Sequence, residues 1–172
     1  MKNMMLELHQ ITFKKLIWVL AVSETIHNLE EALWLPAWSH AAGIWHPTVG
    51  AFEFRFAVAI VTLIFYGVIY YFSSHDNEPA RYMMGGALVI ILINVFVPHV
   101  LATVILGRYA PGVVSGVLLN VPVCAYLLRR GLNEGIFNSR MLLLGALGFA
   151  AVMIPLLPVS FALGKFVEGV VP

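Results

Sequence analysis

Five long apolar stretches constrain the fold of this chain most, because each is about as long as a membrane is thick. A helix needs about 20 apolar residues to cross the hydrocarbon core. The chain has 172 residues, of which 60% are hydrophobic and only 11% charged, against about 25% charged residues in ordinary soluble domains. A water-soluble core could not absorb this much apolar surface. In lipid only helices and closed barrels satisfy their own backbone hydrogen bonds, and the stretches lack the alternation of barrel strands.

We therefore predict an all-α, polytopic membrane helix bundle that forms a single domain over residues 1–172. Its predicted transmembrane spans cover about 13–35, 50–73, 83–107, 111–128 and 140–166.

The basic residues near the ends of the spans indicate how the bundle is oriented. Lysine and arginine concentrate on the cytoplasmic side of membrane proteins. One side of the predicted bundle carries Lys2, Lys14, Lys15, Arg81, Arg129, Arg130 and Arg140, and the other carries Arg55, Arg108 and Lys165. The N-terminus is therefore predicted to be cytoplasmic, and five spans place the C-terminus outside. Trp34, Trp38 and Trp45 then mark the outer membrane boundary as interfacial anchors.

The first span carries ionisable residues, which cost about 2.5–3.5 kcal/mol each inside a membrane on insertion scales. Glu24, His27 and Glu31 share one helix face at i, i+3 and i+7, and Glu30 lies one residue around it. The helical rise places His27 roughly 18 Å from Lys15, in the outer half of the membrane. Such side chains are expected to face a shared interior or a cavity that opens outward.

Polar residues of the other spans reach the same band of the membrane. The second span begins with Glu53, and the third carries Asn94 and His99. The fourth begins at Pro111 and carries Asn120. We expect these residues to form further walls of the same site, although Asn94 and Asn120 fit interhelical hydrogen bonds equally well.

The donors in this band suit a divalent transition metal, with zinc or iron expected. Two histidines and one carboxylate bind catalytic zinc in some proteins and non-haem iron in others. His27, Glu31 and His99 are the simplest ligand set. Glu30 or Glu53 is then the candidate acid–base group.

Several classes of function fit these residues. The leading hypothesis is a metal-dependent membrane enzyme, a hydrolase or an oxidoreductase, that acts on a lipid-like or apolar substrate. The alternatives are a metal-free acid–base pair of His27 and Glu31, a proton-coupled or cation transporter, and a protein whose polar cluster only packs helices. The net charge of +1 offers no footprint for nucleic acid, so the expected partners are membrane lipid and a lipid-like small molecule. A homo-oligomer is compatible with the sequence.

Three short motifs occur in order along the chain, namely HxxEE at 27–31, a later histidine at 99 and YxPG at 109–112. In a chain with several spans, this order resembles the HXXEE-domain family of bacterial membrane proteins. The resemblance covers residues 27–112 and implies a bacterial cytoplasmic membrane protein. It implies a site built from His27, Glu30, Glu31, His99, Tyr109, Pro111 and Gly112. It supplies no activity, because the function of that family is unknown.

The YxPG motif has a physical interpretation as the start of a helix. Pro111 suits a first helical turn, and Gly112 allows close backbone access. The positive end of the helix dipole could receive a polar or anionic substrate group beside Tyr109, which we count as a catalytic candidate, but a plain helix start with an interfacial tyrosine fits the motif equally well. The expected substrate pocket comprises Glu24, Asn94, Pro111, Gly112 and Asn120. Gly112 and Gly116 have the GxxxG spacing that lets membrane helices approach closely.

Overall fold

Five helices form the bundle in the computed structural model, which describes residues 11–43 and 46–170. The helices are α1 (Phe13–Ser39), α2 (Ala51–Ser74), α3 (Glu78–Leu106), α4 (Val113–Asn133) and α5 (Ser139–Val170). No strand occurs within the described ranges. Helices α2 to α5 are long and apolar enough to cross a membrane. Helix α1 has 27 residues, which is long enough, although it carries the charged cluster. The predicted all-α membrane bundle is confirmed.

Several helices extend beyond the predicted spans, and two of these extensions have a local cause. Helix α3 begins five residues before the predicted span, because the Asn77 side chain accepts a hydrogen bond from the Ala80 amide at 2.9 Å. Helix α1 continues past Pro36, whose missing N–H leaves the Ala32 carbonyl without its helical partner. Arg55 of α2 replaces that partner, and its Nε donates to Ala32 O at 3.1 Å.

One end of the bundle is closed by aromatic packing. The ring of Phe13 meets those of Phe72 and Phe137 edge-on, with centroids 5.9 and 5.6 Å apart. Lys14 and Arg130 donate to backbone carbonyls at the same end, so basic residues predicted on one side of the membrane do lie together. The direction of the bundle across the membrane stays a prediction. Lys2 and Trp45, which contributed to it, lie outside the described residues.

Helices α3 and α4 each contain a wide, π-helical turn, at Val95–Val100 and Gly116–Asn120. In α3 the turn includes a break at Val97, where φ is −132° and ψ is 104°. Pro98 favours this break because a proline disfavours the helical conformation of the residue before it. The two wide turns face each other, and the first carries His99. Turns of this kind are frequent at functional sites.

Helices α3 and α5 cross with their backbones in direct contact at Gly86 and Gly145. A Cβ atom on Gly145 would lie 2.1 Å from the Tyr82 carbonyl oxygen, and one on Gly86 would lie 2.2 Å from the Gly145 backbone. Only glycine allows this approach, which holds α5 against the rest of the bundle.

We predict that Gly145→Ala destabilises the bundle by about 1–3 kcal/mol, because the added methyl group must push α3 and α5 apart. Gly148→Ala is the matched control, since a Cβ there has no neighbour within 4 Å. The control should be neutral or stabilising by about 0.5–1 kcal/mol. Thermal unfolding of both variants in detergent, followed by circular dichroism, measures the difference. Equal midpoints for the two variants would contradict the close crossing.

Candidate functional site

The three residues predicted as metal ligands come together between α1 and α3. His27, Glu31 and His99 each present one ligand atom, and these atoms all lie within 4.8 Å of one another. His99 Nε2 is 3.2 Å from Glu31 Oε1, and the two imidazole centroids are 5.0 Å apart. His27 is 1% exposed and His99 4%. The cluster is therefore buried, and water competes little for its donor atoms.

Asn94 joins the two histidines. Its side-chain nitrogen lies 3.5 Å from His27 Nε2 and 3.2 Å from His99 Nε2. An amide nitrogen has two hydrogens and no acceptor, so both Nε2 atoms accept from Asn94 in this arrangement. His99 Nε2 has Glu31 Oε1 as a second neighbour at 3.2 Å, so its protonation also depends on that carboxyl group. The two imidazoles thus direct their lone pairs at one place, as a pair of metal ligands must.

The other nitrogen of His27 is held by a relay to a carboxylate. His27 Nδ1 lies 3.2 Å from the Ser115 hydroxyl oxygen, and that hydroxyl donates to Glu30. With Nε2 unprotonated, Nδ1 carries the proton and donates to Ser115. The relay fixes the tautomer and the orientation of the ring, as the outer partners of metal-bound histidines do.

Glu30 fixes the start of α4 to α1. Its carboxylate accepts five hydrogen bonds, from the Tyr109 hydroxyl at 2.5 Å, the amides of Gly112 at 3.0 Å, Val114 at 3.4 Å and Ser115 at 2.7 Å, and the Ser115 hydroxyl. Amides at a helix N-terminus bind anions, and here that anion belongs to the protein. The expectation that a substrate anion docks at this terminus is therefore wrong. An acid–base role for Glu30 stays a prediction, and the five donors favour a positioning role.

Tyr109 connects this carboxylate to the C-terminal end of α1. Its hydroxyl donates to Glu30, and its backbone carbonyl accepts from Trp38 Nε1 at 2.9 Å. Burial, together with the bond to Glu30, raises the pKa of Tyr109 above its ordinary value. The phenol therefore remains a hydrogen-bond donor at neutral pH. Its catalytic role stays a prediction.

Gly112 packs directly against both imidazole rings. Its φ is +89°, and a Cβ there would lie 2.6 Å from His99 Cε1 and 2.9 Å from His27 Cε1. Any other residue would displace the rings and also strain the backbone. Gly116, one turn later, would place a Cβ 3.0 Å from Val95. The close approach predicted from the GxxxG spacing is present in the structure.

A cavity of about 380 Å³ opens beside the cluster, among α1, α2, α3 and α5. Its polar lining comprises Glu24, Asn28, Glu31, His46, Asn94 and His99. Its other lining residues are apolar or aromatic, namely Leu35, Trp38, Phe54, Ala57, Val58, Val61, Ile64, Phe65, Ile90, Ile91, Pro98, Ala102, Ala110, Pro111, Phe149, Met153, Leu157 and Phe161. The cavity therefore has one polar wall, which includes two members of the cluster, and several apolar ones.

The expected substrate pocket is only partly the observed one. Glu24, Asn94 and Pro111 line the cavity, whereas Gly112 and Asn120 lie behind its walls. Asn120 is completely buried, and its side-chain nitrogen donates to Glu24 Oε2 at 2.8 Å. Asn120 thus orients a cavity carboxylate instead of contacting the cavity itself.

Glu53 lies away from the cluster, at the first turn of α2. Its Oε1 accepts from the Gly50 amide at 2.5 Å, and the neighbouring Phe54 lines the cavity in its place. This position corrects the expectation that Glu53 forms a wall of the site. A glutamate three residues after a helix start commonly turns back to cap it, and that preference explains the difference.

His46 is a cavity residue that the sequence does not reveal. It lies in the connection between α1 and α2, and its ring meets that of Trp38 with centroids 6.5 Å apart. Both residues line the end of the cavity near the C-terminal end of α1. No motif or helical spacing marks a histidine in an irregular connection, so only the folded structure places it.

The fold and the site define a class of protein, a helical membrane bundle with a buried His/Glu centre beside a cavity. The family described as "Protein of unknown function with HXXEE motif" matches residues 18–127. The chain belongs to this family, as the order of its three motifs suggested. It is 32% identical over 148 residues to the uncharacterized protein YrkK of Bacillus subtilis (strain 168), and the match covers 84% of this chain and 92% of YrkK. No solved structure matches the chain.

We predict that Glu30→Gln destabilises the protein by about 2–3 kcal/mol, because the new amide hydrogens would face groups that are themselves donors. Hydrogen exchange should rise at residues 112–115, where α4 begins. Glu168→Gln, at an exposed position of α5, is the control and should change neither quantity. Thermal unfolding and exchange measured by mass spectrometry test both statements. Wild-type exchange at 112–115 in Glu30→Gln would refute the structural role of this carboxylate.

Proposed function

We propose that this protein is a metal-dependent enzyme of the bacterial cytoplasmic membrane that acts on a lipid-like substrate. One observation carries the proposal: two imidazoles and a carboxylate, with ligand atoms within 4.8 Å of one another, lie at the wall of a largely apolar cavity. Buried ionisable groups in membrane helices are costly and usually mark functional sites.

The donor set fits a divalent transition metal such as zinc or iron. Catalytic zinc sites use three protein ligands and keep a further position open, and non-haem iron uses two histidines and one carboxylate on one face. Glu31 and His99 line the cavity, while His27 lies behind them. His27, Glu31 and His99 would hold the ion, and two of the three side chains border the space that a substrate would occupy.

The surroundings of the three residues also fit metal ligands. The relay from His27 through Ser115 to Glu30 leaves Nε2 of that ring free for the ion. Gly112 packs against both rings, where the Cβ of any larger residue would displace them. The ligand atoms are therefore held in place before any metal binds.

A metal ion at such a site would act as a Lewis acid or activate a bound water molecule. The protein would supply the rest of the chemistry through its own groups. The apolar walls would hold the substrate chain and exclude bulk water, which strengthens electrostatic interactions in the site. Glu24 lies on the cavity wall, where it accepts a hydrogen bond from the buried Asn120. We propose that Glu24 accepts or donates a proton during the reaction.

We predict that protein purified without chelator, or loaded with Zn²⁺ or Fe²⁺ afterwards, binds about one metal ion per chain. His27→Ala and His99→Ala should each reduce the bound metal at least about tenfold, because two remaining ligands hold an ion poorly. Elemental analysis after removal of free metal measures this. His75→Ala changes an exposed histidine outside the cluster and should retain wild-type metal content.

Thermal unfolding of each variant separates loss of a ligand from loss of the fold. If well-folded wild-type protein carries no more metal than the two cluster variants, the proposed metal site is wrong.

A further inference from the structure

The cavity is a long slot parallel to the helices. On α1 its lining runs from Glu24 to Trp38, fourteen positions later, which corresponds to about 21 Å along the helix. On α5 it runs from Phe149 to Phe161, or about 18 Å. A volume of about 380 Å³ lies near the lower end of the roughly 300–1,000 Å³ found for ligand pockets. A small volume spread over this length accommodates one extended chain.

The long walls of the slot are apolar. Helix α2 contributes Val58, Val61 and Phe65, and α5 contributes Met153 and Leu157. None of these side chains offers a hydrogen bond, so a polar segment lying between α2 and α5 would lose its hydration without replacement. The body of the occupant is therefore a hydrocarbon chain.

Within the described ranges, the polar side of the slot carries two carboxylates and no lysine or arginine. Glu24, Asn28 and Glu31 form a stripe along α1, at i, i+4 and i+7. Among the described residues that line the cavity there is no lysine or arginine. Arg55 and Arg108 donate instead to backbone carbonyls of α1 and of the residues that follow it.

This charge distribution selects the head group of the occupant. A buried carboxylate or phosphate needs a cationic partner, and the only described lining residues that could carry a positive charge are His46 and the candidate metal ligand His99. The N-terminus of α4 does not serve, because Glu30 fills it. Glu24 and Glu31, on the same side of the slot, would repel an anionic head group. Hydroxyl, amide and ammonium groups, by contrast, donate hydrogen bonds that the α1 stripe accepts.

We propose that the cavity binds a single-chain amphiphile with an uncharged or cationic, hydrogen-donating head group, such as a long-chain alcohol, amide or amine. The chain lies between α2 and α5, and the head group contacts the stripe of Glu24, Asn28 and Glu31. This inference names the substrate class of the proposed enzyme and to that extent rests on the proposed function. Binding of the chain itself does not require the metal.

The test uses dodecanol, dodecylamine and dodecanoate, which share one chain and differ in head group. Binding to the full-length protein in phosphatidylcholine nanodiscs is measured by native mass spectrometry at pH values where the acid is ionised. The alcohol and the amine should bind at least about tenfold more tightly than dodecanoate. Glu24→Gln should reduce the preference for the amine over the alcohol. Dodecanoate binding as tight as that of the amine overturns the proposal.

Variants that fill the slot show where the probes bind. Val61→Trp should abolish binding of the alcohol and the amine, and Met153→Trp on the opposite wall is a second filling variant in case the first does not fold. Leu63→Trp is the control, because Leu63 is 71% exposed on the outer face of α2. Probe binding that persists in a folded filling variant overturns the proposal.

Measurements with chelated and with zinc-loaded protein separate this inference from the proposed function. Selective probe binding by chelated protein supports the slot, whatever the metal analysis of the histidine variants shows. If the protein binds zinc at His27 and His99 but shows no selective probe binding, the proposed amphiphile binding is wrong and the proposed metal site stands.

Discussion

The structure depends most on the contact between the Glu30 carboxylate and the beginning of α4. A charge inside a membrane is stable only with partners, and α4 supplies backbone amides and a hydroxyl at the positive end of its dipole. The same contact gives those amides the acceptor that the start of a helix otherwise lacks. Because Glu30 fixes where α4 begins, it also decides that Ser115 meets His27 and that Gly112 lies against both imidazoles.

This contact explains why the motif contains two successive glutamates. Neighbouring residues on a helix point about 100° apart, so Glu30 and Glu31 cannot face the same element. Glu30 faces α4, while Glu31 faces His99 of α3 and the cavity. His27 lies one turn before Glu31, which puts it at the junction of the two. The motif thus divides its tasks, with one glutamate holding the site together and the other placed within it.

The sequence predicts the fold and the central cluster for the same reason, namely that membrane thickness fixes the depth of each residue. Depth and helical spacing suffice to bring His27, Glu31 and His99 together. They do not determine how each helix is rotated, so the bridge from Asn94 to both rings is not predictable. The π-helical turns within α3 and α4 change that rotation, and the hydropathy of the sequence does not predict where such turns occur. Glu53 is misjudged because local capping decides its position, and His46 is not foreseen because it lies in an irregular connection.

Polar side chains that satisfy one another's hydrogen bonds could serve helix packing alone. Among the described residues nearly all buried polar side-chain atoms are satisfied in this way, and Ser160 Oγ is the exception. The His27, Glu31 and His99 cluster differs from a packing network in the chemical groups that it contains and in its position beside a cavity. Two imidazole nitrogens share the Asn94 amide, and that of His99 also lies 3.2 Å from Glu31 Oε1, although amide pairs would join the helices without ionisable groups. A carboxylate lies beside them, at the wall of a cavity. Helix packing requires neither two imidazoles with a carboxylate nor a cavity beside them, whereas the proposed metal and substrate binding requires both.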